Sequence, residues 1–255
     1  RLSLNRLRWI YQQRLQLTEK IVPGPNEDAL TAGIQSLSYA IKRAGIKPED
    51  IDALFVVSES FPYAVGSSTK IAGKLGLTGL KYGVRGEFAC KSYGEFLDIG
   101  ASLIDSGRAK YVAIVATDAS QALPGDDLEF SASYYSTSTI LGPDGSGIAR
   151  IVGRTSLNYD LPDFIRKEGV EVPEHEGQGT SLAFRGMILS AIIQHLKHYN
   201  MPVDSLKKKT WVIHSPNGSF PNEALKDIGE ELGTVLAKKV YDEKGNLLRI
   251  EPKVK

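Results

Sequence analysis

Short apolar segments alternate with helical segments in the first half of the chain, and this alternation most restricts the possible fold. The apolar segments cover residues 51–57, 81–88 and 110–117, and the helical patterns between them cover 67–76 and 89–107. Strands that are apolar along their whole length are typical of a parallel sheet covered by helices on both faces. The order of these elements therefore predicts an α/β fold with a largely parallel sheet.

Charge and composition exclude several classes of protein. The 31 Lys and Arg residues nearly balance the 30 Asp and Glu residues, which leaves no broad positive field to attract nucleic acid or an anionic membrane. The longest apolar runs, 53–57 and 187–193, are far shorter than the about 20 residues that a membrane-spanning helix needs. The single cysteine, Cys90, excludes an internal disulfide and fits a reducing compartment such as the cytoplasm.

Cys90 lies where the second predicted strand passes into a helix. Free backbone N–H groups and the positive end of the helix dipole would surround its thiol there. Such a position can lower the pKa of a thiol and can hold an oxyanion, as an acyl-accepting nucleophile requires. A lone cysteine is, however, more often a small core residue, and both interpretations stay open.

His214 and Glu59 also follow predicted strands. His214 comes at the end of segment 208–215, and Glu59 comes just after segment 51–57. Taken singly, a histidine bonded to its own turn and a solvated loop acid are the simpler interpretations. The carboxyl ends of strands in one parallel sheet share an edge, where open α/β sheets place their sites. We therefore expect the Cys90 thiol, the imidazole and the carboxylate to converge there.

Other polar groups give weaker signals. His195 and His198 face the same side of a predicted helix, but two ligands without a third predict no metal site. The acidic cluster 126–129 lacks the spacing of an EF-hand. A nucleotide-binding loop would be followed by a helix, but no helix is predicted after the segment GPDGSG. This segment is instead predicted to be the turn of a hairpin that joins 138–142 to 148–156.

Five segments together resemble a known family. They are EKIVPGPNEDA (19–29), VSESFPYAV (57–65), GEFACKSYGE (86–95), ATDASQALPGDDLEF (116–130) and IHSPNGSFP (213–221). In this order they resemble the archaeal type of hydroxymethylglutaryl-CoA (HMG-CoA) synthase, which belongs to the thiolase superfamily.

The resemblance implies an α/β thiolase-like fold with αβαβα layers and two similar halves. It places an N-terminal half with the cysteine nucleophile in residues 1–157 and a partial C-terminal half with the histidine in residues 158–255. The family's closing strands after His214 have no counterpart in this sequence, so the second half is expected to be incomplete in this chain.

The resemblance also implies an activity and its residues. Members of the family condense acetyl-CoA with acetoacetyl-CoA to HMG-CoA, in the mevalonate route to isoprenoids, without a permanently bound cofactor or metal. The family's nucleophile corresponds to Cys90, its general acid/base to Glu59 and its histidine to His214, and two substrate-contacting hydroxyls fall near Ser131 and Thr180. The implied partners are CoA thioesters, further copies of the chain, acetoacetyl-CoA thiolase and a small OB-fold bridging protein.

Three positions depart from the family pattern. Basic residues that hold the CoA phosphates in the family are replaced here by Gln178, Ser219 and Glu223, which is expected to weaken CoA binding. Two alternative functions therefore stay open. One is a 3-ketoacyl synthase-like condensing enzyme, although simple ketoacyl synthases generally lack a carboxylate at the position of Glu59. The other is a non-catalytic subunit of a thiolase complex.

Overall fold

The computed structural model describes residues 12–13, 16–59, 61–63, 66–124, 128–161, 165, 167–170, 177–234, 236–241 and 247–252. The chain divides into two compact units. The first, called the sheet unit, consists of Lys20–Ala122 and Ala132–Val152, and the second, called the helical unit, includes Leu123–Ser131 and Gly153–Lys255. The division of the chain into thiolase-like halves at residues 157 and 158 stays a prediction.

The sheet unit is built on four strands. They are β1 (Ile51–Val57), β2 (Tyr82–Gly86), β3 (Tyr111–Ala119) and β4 (Tyr134–Leu141). Their spatial order is β2-β1-β3-β4, with β1 parallel to both β2 and β3 and with β4 antiparallel to β3. The three strands predicted from the apolar segments are confirmed, as is their parallel pairing.

The hairpin predicted around GPDGSG is wrong. Strand β4 pairs along its whole length with β3, and residues 148–156 form no strand. Ile148 and Val152 are exposed, because no neighbouring strand covers this segment in the described part of the chain.

Three helices cover the sheet, and they are α1 (Ala29–Ala44), α2 (Ser67–Leu75) and α3 (Ser92–Asp105). Helix α1 begins at a reciprocal cap, in which the backbone N–H of Thr31 donates to the Asp28 carboxylate and the Thr31 hydroxyl accepts from the N–H of Asp28, both at 2.8 Å. It ends at Gly45, whose φ of +66° suits a residue without a side chain.

Alternate residues of β1 are buried on opposite faces of the sheet. Leu54 and Val56 pack with residues of α1 and α2, whereas Phe55 and Val57 pack with residues of α3. This two-sided burial explains why the strand is apolar throughout. On the second face the ring of Phe55 stacks on Phe96 of α3 with 4.8 Å between centroids, which anchors the helix that begins just after Cys90.

The helical unit contains α4 (Gly177–His198), α5 (Phe220–Glu231) and an antiparallel strand pair, β5 (Ala237–Tyr241) and β6 (Leu247–Pro252). Its core includes Leu196, Leu206, Leu225, Ile228 and Leu236. No helix in the described ranges is both long and apolar enough to cross a bilayer.

The strand predicted over 208–215 is absent. Residues 203–208 form a short 3-10 helix, and the residues that follow run to the turn after His214 without pairing to another strand in the described part of the chain. Val212 is 95% exposed. An apolar pattern alone cannot make a strand, because the backbone N–H and C=O groups of a strand need a neighbouring strand to bond with.

Candidate active site

The carboxyl ends of three strands meet at one edge of the sheet. Val57 at the end of β1 lies in register with Gly86 at the end of β2 and with Ala116 in β3. Glu59 comes two residues after Val57, and Asp118 comes two residues after Ala116. The parallel pairing therefore brings two carboxylates to the edge at which β2 leads into the segment of Cys90.

Cys90 follows a strained backbone residue. Ala89 has a φ of +41°, a conformation that residues with a Cβ rarely adopt and that costs about 1–3 kcal/mol. Helix α3 begins two residues after Cys90, at Ser92. Cys90 therefore lies at the junction of β2 and α3, just before the first turn of that helix, as the sequence predicted.

The pKa of Cys90 is shifted in the direction opposite to the one predicted from the sequence. The side chain is exposed, yet the protein around it desolvates the thiol, and the negative charges of Glu59 and Asp118 oppose the thiolate. These effects raise the pKa of Cys90 to about 11, against a smaller lowering by its backbone N–H. The predicted lowering of the thiol pKa is therefore wrong, since desolvation and two carboxylates outweigh the helix terminus.

Asp118 is a residue of the candidate site that the sequence patterns did not predict. Its Oδ1 accepts hydrogen bonds from the Ser58 hydroxyl and from the backbone N–H of Glu59, each at 2.9 Å. These two bonds tie the segment after β1 to the end of β3 and thereby hold the backbone of Glu59. The available signal was its position, since Asp118 comes just after the apolar segment 110–117, as Glu59 comes just after segment 51–57.

His214 lies in the helical unit, on the irregular segment before α5. Its ring centroid is 6.4 Å from that of Phe184, which in turn is 5.3 Å from that of Phe220. Desolvation by the surrounding protein lowers the pKa of His214 and favours the neutral imidazole. Its expected place in the same parallel sheet as Cys90 is wrong, because its segment is not a strand, and its convergence with Cys90 and Glu59 stays a prediction.

The two expected substrate hydroxyls also belong to the helical unit. Ser131 is exposed and its hydroxyl donates to the C=O of Leu128 at 3.2 Å. Thr180 is half-buried in the first turn of α4. Their contact with a substrate stays a prediction.

Two of the positions that depart from the family pattern have structural partners. Ser219 donates its backbone N–H and its hydroxyl to Oδ1 of Asn217, at 3.0 and 2.8 Å. Glu223 forms an ion pair with Arg185 of α4 at 3.1 Å, and Asp227 binds the same guanidinium at 2.9 Å. The third position, Gln178, has a side chain outside the described part of the chain. None of the three supplies a cation.

The metal-ligand candidates from the sequence form no metal site in the described residues. Within the described ranges no three His, Cys, Asp or Glu side chains are grouped as a metal site requires. Nδ1 of His195 forms a hydrogen bond of 2.9 Å with the Thr155 hydroxyl. Asp126 and Asp127 of the acidic loop lie outside the described residues.

Curated relatives show which family the chain resembles. The hydroxymethylglutaryl-CoA synthase of Archaeoglobus fulgidus is 38% identical over 217 residues, which are 84% of this chain and 62% of that protein. The enzyme of the same name from Methanopyrus kandleri is 34% identical over 234 residues, which are 91% of this chain and 66% of that protein. Over most of its length the chain is similar to archaeal hydroxymethylglutaryl-CoA synthases. It spans less than two thirds of the length of these curated relatives.

The fold of this chain also occurs in solved structures. MvaS in complex with 3-hydroxy-3-methylglutaryl coenzyme A has a TM-score of 0.76 at 18% identity, covering 89% of this chain and 58% of that one. The 3-oxoacyl-[acyl-carrier-protein] synthase III of Aquifex aeolicus has a TM-score of 0.72 at 16% identity, covering 89% of this chain and 72% of that one. These matches confirm the thiolase-like α/β fold. No protein-family model matches the chain.

Proposed function

We propose that the chain carries the condensing site of an HMG-CoA synthase, which joins acetyl-CoA to acetoacetyl-CoA through an acetyl-Cys90 intermediate in the mevalonate route. One observation carries the proposal most directly. Glu59 follows β1 at the sheet edge next to Cys90, and its charge acts on the thiol. A thiol and a carboxylate in this relationship suit acyl transfer followed by proton abstraction.

In the first step the sulfur of Cys90 attacks the carbonyl carbon of acetyl-CoA. Because its pKa is about 11, the thiol is protonated at neutral pH, and a neighbouring base must take the proton as the sulfur attacks. We assign this role to Glu59, whose charge acts on the thiol. The backbone N–H groups at the start of α3 bind the developing oxyanion. The carbon–sulfur bond to CoA then breaks, and CoA leaves with the proton that came from Cys90.

In the second step Glu59 removes a proton from the methyl group of the acetyl thioester. The resulting carbanion attacks the ketone carbon of acetoacetyl-CoA and forms the new carbon–carbon bond. His214 supplies a hydrogen bond or a proton to the ketone oxygen as negative charge develops there. The hydroxyls of Ser131 and Thr180 orient the acyl groups. Water finally cleaves the thioester to Cys90, which releases HMG-CoA and restores the thiol.

A second candidate is a non-catalytic subunit of a thiolase complex. The favouring observation is the ion pair of Glu223 with Arg185, since it puts a carboxylate at a position where the family carries a positively charged residue that binds the CoA phosphates. The altered Ser219 and Gln178 favour the same interpretation. A 3-ketoacyl synthase-like activity is less favoured, because Glu59 supplies a carboxylate that simple ketoacyl synthases generally lack.

The proposal extends to assembly and compartment. The similarity to the archaeal family supports a homo-oligomer that assembles with acetoacetyl-CoA thiolase and a small OB-fold bridging protein. A cytoplasmic location is supported by Cys90, whose free thiol fits a compartment that keeps cysteines reduced.

Acetylation of the purified full-length protein tests the proposal. Incubation with radiolabelled acetyl-CoA is expected to label the peptide that contains Cys90, and Cys90→Ser is expected to take up no label. Addition of acetoacetyl-CoA is then expected to yield HMG-CoA, detected by its mass. A native protein that takes up no label, alone or with acetoacetyl-CoA thiolase, would favour the non-catalytic subunit.

A further inference from the structure

The hydroxyl of Ser92 bridges the backbone on both sides of the strained residue before Cys90. Ser92 is only 2% exposed. Its Oγ accepts a hydrogen bond from the backbone N–H of Phe88 and donates one to the C=O of Ala89 at 2.9 Å. One buried side chain therefore gives the backbone N–H of Phe88 an acceptor and gives the C=O of Ala89 a second donor within the turn between β2 and α3.

The bridged residue cannot stabilise its own conformation. Ala89 has a φ of +41°, and its methyl group offers no local hydrogen bond of the kind that asparagine or aspartate makes in the left-handed region. Such a backbone persists only where its surroundings hold it. The two bonds of the Ser92 hydroxyl, with the bond from the backbone N–H of Ser92 to the C=O of Ala89 at 3.2 Å, supply that restraint.

The restraint determines where the sulfur of Cys90 points. A relaxation of Ala89 to an ordinary negative φ would rotate the next peptide and swing the Cα–Cβ bond of Cys90 to another direction. We propose that Ser92 is a positioning residue, whose hydroxyl holds Ala89 in the left-handed conformation and thereby keeps the Cys90 thiol beside Glu59. This inference rests on the proposed nucleophilic role of Cys90.

Ser92 acts through the backbone and not on the substrate. Its hydroxyl proton is directed to the C=O of Ala89, so it is not offered to a reacting oxygen. Ser102 provides a matched control on the same helix, because its hydroxyl also donates to a backbone carbonyl, that of Asp98 at 2.9 Å. That bond lies away from the turn of Cys90.

The test compares Ser92→Ala, Ser92→Thr and Ser102→Ala in the full-length protein. The first readout is the rate of Cys90 alkylation by iodoacetamide as a function of pH, followed by intact mass. In Ser92→Ala the thiol leaves the protein atoms that desolvate it and the two carboxylates, so its pKa is expected to fall from about 11 towards the ordinary value of 9.0. Ser92→Thr, which keeps the hydroxyl, and Ser102→Ala are expected to keep the wild-type profile.

A second readout uses the acetyl-transfer reaction. Ser92→Ala is expected to lower kcat about tenfold or more with little change in KM, because a displaced nucleophile reacts poorly although the substrate still binds. The alkylation profile does not depend on turnover. It therefore still tests the position of Cys90 if the proposed activity itself fails.

A double variant keeps the test decisive if Ser92→Ala does not fold. Glycine adopts positive φ without strain, so Ala89→Gly combined with Ser92→Ala is expected to restore the wild-type alkylation profile. The proposal is overturned if Ser92→Ala alkylates and turns over as the wild type does, if Ser102→Ala shows the same loss, or if the double variant is as defective as Ser92→Ala.

Discussion

The backbone N–H of Glu59 donates a hydrogen bond of 2.9 Å to the carboxylate of Asp118. The two residues come from neighbouring parallel strands and lie just past the same level of the sheet. The end of β3 therefore holds the segment that leaves β1, and the position of the proposed base depends on a second carboxylate. The same carboxylate also helps to raise the pKa of Cys90. It therefore opposes ionisation of the thiol and also positions the proposed base.

Replacement of Asp118 separates these two effects. Asp118→Ala removes both bonds to Oδ1, so Glu59 loses its support and condensation is expected to slow about 10- to 100-fold. Asp118→Asn keeps an acceptor oxygen but loses the charge, so it is expected to retain most of the rate. Steady-state formation of HMG-CoA measures both variants. Equal losses in the two would mean that the charge, and not the bonds, matters.

The raised pKa of Cys90 predicts an unusual pH dependence of its reactivity. Alkylation of the wild type is expected to rise with pH to a midpoint of about 11. Glu59→Gln removes a negative charge that opposes the thiolate, so the midpoint is expected to fall. It is expected to stay above the ordinary 9.0 because desolvation persists.

Glu87→Gln serves as the control for this measurement, since Glu87 precedes the same turn but is not among the causes of the shift. The profile of Glu87→Gln is expected to match the wild type. An unchanged midpoint in Glu59→Gln would show that the carboxylate does not act on the thiol.

Asp52 is expected to stabilise the sheet at the amino ends of β1, β2 and β3, opposite the proposed site. Its Oδ1 lies 2.8 Å from Nζ of Lys81, and its Oδ2 accepts the backbone N–H groups of Lys110 and Tyr111 at 2.6 and 3.3 Å. Asp52→Ala leaves these N–H groups without their acceptor. The free energy of unfolding is expected to fall by about 1–3 kcal/mol, measured by urea denaturation.

The contribution of Asp52 is also expected to depend on pH. Burial by itself would raise the pKa of this carboxyl, but the bonds from Lys81, Lys110 and Tyr111 outweigh it and lower the pKa below 3.8. The folded state therefore binds fewer protons than the unfolded state, and the stabilisation is present above pH 3.8 and is lost as the pH falls through the folded-state pKa. If the wild type and Asp52→Ala differed equally at pH 7 and at pH 2, this origin would be refuted.

Glu223 provides a test of the missing cations. Glu223→Lys breaks the ion pair with Arg185 and places a positive charge where the family carries one. Affinity for CoA is expected to rise about tenfold, measured by calorimetry, with a smaller gain for CoA that lacks its 3′-phosphate. Glu230→Lys makes the same change of charge on the same helix, where Glu230 pairs with Lys226 at 2.9 Å. A similar gain in that control would indicate general charge attraction.

Local patterns in the sequence determined the framework of the sheet unit. The apolar segments and the helical periodicity predicted β1, β2, β3 and the helices between them, because strands buried on both faces and helices buried on one face have distinct residue patterns. The same patterns placed Cys90 at the junction of β2 and α3. Each of these features depends on residues that are close together along the chain.

Tertiary structure decided what the side chains at that junction do. The pKa of Cys90 rises because nearby protein atoms desolvate the thiol and because the negative charges of Glu59 and Asp118 act on it from the ends of two other strands. These neighbours are distant along the chain, so no short sequence pattern contains them. Residues 209–215 have the composition of a strand yet pair with none in the described residues, since a strand exists only beside a partner. Local propensity is a property of neighbours in sequence, whereas charge, desolvation and strand pairing are properties of neighbours in space.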